Sequence, residues 1–72
     1  MNTKILEKLG KNIQFYRKEI GLTQEALAFK VGIHQTYIGK IESGKSNPST
    51  IMLFKISRAL NIKLSNLFDF DK

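Results

Sequence analysis

The 72 residues carry 12 Lys and Arg against 6 Asp and Glu, for a formal net charge of +6, with no Cys and one His. Disulfides and thiolate metal sites are therefore excluded, and His34 alone cannot build a zinc site, so neither metal nor cofactor is expected. The length allows one small core, hence a single domain over residues 1–72, and a 42% hydrophobic share with 25% charged residues is ordinary for a folded chain.

The first segment, Thr3 to Glu19, repeats Ile5, Leu9, Ile13, Tyr16 and Ile20 at steps of three and four, which is one helical face. Asn2 or Thr3 is placed to cap its start, and Gly21 suits a left-handed stop at its end. Gly10 sits inside the pattern at a cost of about 1 kcal/mol against Ala. Thr23 is a good N-cap for a second, two-turn helix, Gln24 to Lys30, closed by Gly32. The third helix is expected over Gln35 to Glu42. The stretch Ser43-Gly44-Lys45-Ser46-Asn47-Pro48 is a loop by composition. Ser49 then caps a fourth helix, Thr50 to Leu60, with Leu53, Ile56 and Leu60 as its inner stripe and Asn61 as its stop. A short fifth helix, from Leu64 to Phe68 or a little beyond, ends the pattern. No segment alternates like a strand, so the fold is read as all-α with five helices.

The longest apolar run, Ile51-Met52-Leu53-Phe54, is far too short to span a bilayer. The start turns charged at once and is not expected to be a secretory signal, so a cytoplasmic protein with no membrane partner is expected. The excess of positive charge favours a polyanion, with nucleic acid first and solubility or an acidic membrane surface as the bland alternatives.

The region 24–42 meets the requirements of a helix-turn-helix. Ala28 is small where two helices must cross. Gly32, four residues later, supplies a positive φ for the turn. Ile38 and Ile41 point inward with Leu27, Val31 and Ile33. Gln35, Thr36, Gly39 and Lys40 face out. Eight residues at about 1.5 Å each span roughly 12 Å, about the width of the B-DNA major groove.

These residues resemble the phage repressor and Cro-type helix-turn-helix regulators. The likeness is carried by Leu22-Thr23-Gln24-Glu25-Ala26-Leu27-Ala28, Gly32-Ile33, Ile38-Gly39-Lys40-Ile41-Glu42-Ser43-Gly44 and Asn47-Pro48-Ser49. The family's five-helix plan covers about residues 6–68. Thr36-Tyr37-Ile38 followed by Ile41-Glu42 also looks like the small controller proteins of restriction–modification systems. In this chain His34 and Lys63 stand where a Ser-like cap is common, and Gly39 where Ser is frequent.

Within that resemblance Gln35, Thr36 and Lys40 are candidate DNA contacts, with a solvated Gln, a plain helix-start residue and a free surface lysine as the respective alternatives. Gln35 can pair with an adenine in bidentate fashion, and Thr36 can offer a hydroxyl or a methyl to a base. Tyr37 can meet the sugar–phosphate wall or a base edge, or pack in the core rim. Lys40 suits a phosphate. Thr23 and Gln24 open a helix whose backbone N–H groups suit a phosphate. Lys45, Ser46, Asn47 and Ser49 surround the next helix start, although Asn47 also suits a plain turn. His34 is a cap or groove-edge residue. Glu42 is read as structural, with Arg17 a candidate partner. Lys4, Lys8, Lys11 and Lys18 make a solvated face.

Ile62, Leu64, Leu67, Phe68 and Phe70 fall within nine residues. Not all fit one small core, which points to self-association. The resemblance implies a two-fold homodimer through about residues 62–70, with Ile62, Leu64, Phe68 and Phe70 at the interface. Phe68 has the alternative of forming a lid on the first helix. The expected function is a non-enzymatic, sequence-specific transcription regulator on a pseudo-palindromic double-stranded DNA operator. Its control would come from concentration and dimerisation. RNA polymerase or a toxin is a further candidate contact, the latter if the chain is an antitoxin-type autorepressor.

Overall fold

The structure, a computed structural model, describes residues 3–70. Five helices follow one another: α1 Thr3–Glu19, α2 Gln24–Val31, α3 Gln35–Glu42, α4 Thr50–Ala59 and α5 Leu64–Leu67. No strand occurs among the described residues. The starts and stops follow local chemistry. Thr23 Oγ1 accepts from the Ala26 N–H at 3.0 Å, and Ser49 Oγ from the Met52 N–H at 3.1 Å. Each satisfies a donor that the first helical turn leaves open. The turns after α1, α2 and α4 run through left-handed residues, Gly21, Gly32 and Asn61. At Gly32, φ is +84°, and its N–H and that of Ile33 both donate to the Ala28 carbonyl, which bends the chain sharply into α3.

One core joins all five helices. Leu9 and Ile13 of α1, Leu27 and Ala28 of α2, Ile38 and Ile41 of α3, Leu53 and Ile56 of α4, Leu60 and Leu67 are buried together. Val31, Ile33, Tyr37, Ile62, Leu64 and Phe70 pack against its edge. α1 lies on α3 and α5, and α2 on α3 and α4.

Several boundaries and faces differ from the expectation. α2 runs one residue further, to Val31; α4 stops at Ala59; α5 is a single turn. Thr3 lies inside α1 rather than capping it, and Asn2 falls outside the described residues. The proposed stripe of α1 is buried only in its middle, since Ile5 and Ile20 are 39% and 49% exposed. The cause is length: α1 is about 25 Å long while α3 is about 12 Å, so the ends of α1 overhang what it packs on. Leu67, counted among the apolar surplus, is fully buried. Phe70 lies beside Lys8, Lys11 and Asn12 of α1, and the Phe68 ring meets it edge-on. The Lys8 ammonium stands 6.0 Å from the centre of the Phe70 ring. Asn12 Nδ2 donates to the Leu67 and Asp69 carbonyls at 2.9 and 3.1 Å and ties the chain's last turn to α1.

Candidate nucleic-acid interface

Helix α3 is held in place by contacts within the single chain. Ile38 and Ile41 anchor its inner face in the core. At its start, the His34 Nδ1 accepts from the Thr36 N–H at 3.0 Å. At its end, Glu42 is buried and paired with Arg17. The Arg17 Nε and Nη2 donate to the two Glu42 carboxylate oxygens at 2.7 and 3.1 Å. Arg17 Nη1 donates to the Leu22 carbonyl at 2.7 Å, and Gln24 Nε2 donates to Glu42 Oε1 at 3.0 Å. One carboxylate thus joins α1, the start of α2 and the end of α3. Such a buried pair contributes geometry more than net stability, because desolvation offsets most of its attraction.

Gly10 completes the seat. A Cβ there would lie 2.3 Å from the Glu42 carbonyl oxygen and 2.5 Å from that of Ile41. Only glycine lets α1 approach the last turn of α3 so closely. A glycine inside an otherwise regular helical pattern was the available sign, and sequence reasoning recorded only its cost. The Gln24 brace on Glu42 was likewise missed.

Gln35 and Thr36 are exposed on the first turn of α3, and Lys40 is exposed near its end. Gly39 is half-buried, and the nearest atom to a Cβ there is Gln24 Oε1 at 3.7 Å, an ordinary contact. Tyr37 is half-buried and packs on the core, so the core-rim alternative holds for part of its side chain. Thr23 and Ser49 are exposed caps. Each hydroxyl oxygen accepts from its own helix and still carries a proton to donate outward. The side-chain amide of Gln24 is engaged by Glu42, so an anion at the start of α2 would meet backbone N–H groups and the Thr23 hydroxyl. In the loop before α4, Lys45 and Asn47 are exposed, Ser46 is half-buried and Pro48 is buried. Lys4, Lys8, Lys11 and Lys18 are exposed on α1, as a solvated face would be. Of the proposed interface residues, Ile62, Leu64 and Phe70 are half-buried within the single chain, and Phe68 is 41% exposed.

Among the described residues no cluster of His, Cys, Asp and Glu could hold a metal, and no helix is long and apolar enough to cross a membrane.

Comparison with known proteins gives the same picture. The helix-turn-helix family model matches residues 13–67. The control protein C.MunI of a Mycoplasma species is 42% identical over 67 residues, covering 90% of each chain. The crystal structure of the restriction–modification controller protein C.AhdI from Aeromonas hydrophila superposes with a TM-score of 0.86 at 38% identity, covering 88% of this chain and 96% of that one. The structure of SinR, a master regulator of biofilm formation, in complex with DNA superposes with a TM-score of 0.78 at 37% identity, covering 85% and 98%.

Proposed function

Because the chain belongs to the helix-turn-helix family of DNA-binding transcriptional regulators, as the match over residues 13–67 shows, we propose that it acts as a homodimer on a pseudo-palindromic operator. Two copies of α3 would enter successive major grooves about 34–36 Å apart. The observation that carries this reading is the seating of α3, whose inner face and both ends are secured while Gln35 and Thr36 stand free at its first turn. Gln35 and Thr36 are assigned to base edges, with Tyr37 beside them. Thr23, the start of α2 at Gln24, His34, Lys40, Lys45, Ser46, Asn47 and Ser49 are assigned to phosphates. Phosphate contacts set the register, and base contacts set the sequence.

The likeness to the control proteins C.MunI and C.AhdI favours a role as a restriction–modification controller in the cytoplasm. No enzymatic step is assigned. The antitoxin-type alternative has no observation of its own in its favour. Contact with RNA polymerase would accompany activation, whereas occlusion would suffice for repression.

Selection of binding sites from random duplex DNA tests the proposal. Wild type is expected to yield a two-fold symmetric consensus. Gln35→Ala is expected to relax one position in each half-site, with a loss of about 1–3 kcal/mol of discrimination. If wild type yields no consensus at moderate salt, the operator reading fails; a consensus unchanged by Gln35→Ala removes base readout from Gln35.

A further inference from the structure

A groove lies between α2 and α4. Lys30 and Val31 of α2 and Phe54, Lys55, Arg58 and Ala59 of α4 line it, and its volume is about 560 Å³. Its apolar lining is Val31, Phe54 and Ala59, with Phe54 47% exposed. Three of its six lining residues are cations and none is acidic. Lys30 and Arg58 stand in the last turns of their helices, where positive charge also suits the helix dipole. Lys55 has no such account. The Arg58 guanidinium lies 5.8 Å from the centre of the Phe54 ring. A guanidinium resting on an aromatic ring keeps its planar fork of donors at the edge, which suits a carboxylate.

We propose that this α2–α4 groove docks an acidic protein segment, which sets one apolar side chain against Phe54, Val31 and Ala59 and places carboxylates on Arg58, Lys55 and Lys30. Charge complementarity selects this occupant. A second copy brought groove to groove by a two-fold axis would set three cations against three. Duplex DNA would satisfy the cations but leave the apolar lining without a partner. The groove lies at the C-terminal ends of α2 and α4, while the anion-binding positions lie at their N-terminal ends. A protein segment could therefore bind while the operator is held. That placement rests on the proposed mode of DNA binding; the chemistry of the groove does not.

The test uses the full chain and a short acetylated, amidated peptide of Glu and Ala bearing one Leu and one Phe a helical turn apart, followed by fluorescence anisotropy. A control peptide of equal charge has Ser in place of Leu and Phe. Saturable binding is expected for the first peptide and about ten-fold weaker binding for the control. Arg58→Ala and Lys55→Ala are each expected to weaken the first peptide about ten-fold while operator affinity and helical circular dichroism stay unchanged. The peptide should also bind the protein–operator complex. Equal binding of both peptides, or no effect of Arg58→Ala, would overturn the proposal. So would competition by non-operator duplex, or retention on phosphatidylserine vesicles that Arg58→Ala abolishes while the peptide does not bind. A fall in sedimentation mass in Phe54→Ser would make the groove a contact between copies and overturn it as well. Loss of operator binding by wild type would defeat the regulator reading alone and leave the peptide result standing.

Discussion

At the scale of single residues, two glycines of similar appearance have opposite roles. Gly10 and Gly39 both sit inside helices and both carry an intrinsic penalty of about 1 kcal/mol against Ala. At Gly10 an added methyl would strike backbone carbonyls at 2.3 and 2.5 Å, whereas at Gly39 it would meet only the Gln24 amide at 3.7 Å. Gly10→Ala should therefore lower stability by about 1–3 kcal/mol, the overpacking cost exceeding the gain in propensity. Gly39→Ala should raise it by about 0.5–1 kcal/mol. Urea denaturation of both variants checks this, and equal shifts in one direction would refute the contact at Gly10. The penalty at Gly10 was visible in the sequence, but its compensation was not. That compensation depends on which turn of a distant helix arrives there. The partnership of Arg17 with Glu42 was nameable because an acidic residue at the end of a proposed recognition helix calls for an explanation other than DNA. The Gln24 brace was hidden because its position suited a phosphate equally well.

At the scale of elements, the helix starts were legible because each is set by one side chain and the next few N–H groups. Thr23 and Ser49 cap as their chemistry dictates. His34 performs the same task with a ring nitrogen. His34→Ser should keep stability within a few tenths of a kcal/mol, while His34→Ala should lose about 1 kcal/mol, as should Thr23→Ala. Denaturant midpoints measure this; indistinguishable Ser and Ala variants at position 34 would mean the imidazole cap contributes nothing. The ends of α2, α4 and α5 were misjudged by a residue or so, since the last turn of a helix answers to tertiary packing as well as to local residues. The apolar periodicity of α1 announced the helix correctly but overstated the length of its buried face.

At the scale of the whole molecule, the described chain closes its core and still leaves Phe68 at 41% exposure. If the proposed dimer forms through this region, Phe68→Asp should halve the sedimentation mass at high concentration and remove the concentration dependence of the thermal midpoint, with little effect on the midpoint of the dilute monomer. Phe70→Asp should lower thermal stability as well, because Phe70 covers α1 beside Lys8. A wild-type mass of one chain at high concentration would remove the dimer. The surplus of apolar residues near the C-terminus was readable from composition. Their division between the chain's own core and a neighbour was not, because Leu67 and Phe68 are adjacent in sequence and only the turn of α5 sends one inward.

The bracing of α3 has a mechanical consequence. A helix capped by His34, pinned by Glu42 and pressed against Gly10 has little freedom to follow an irregular groove. When such a rigid helix pair is matched to an operator, the duplex must supply the accommodation by bending, twisting or narrowing. That elastic energy depends on the stiffness of base steps that no side chain touches. On the proposed operator, the spacer between half-sites would then enter the affinity through its deformability, and the mechanics of DNA would count together with its lettering.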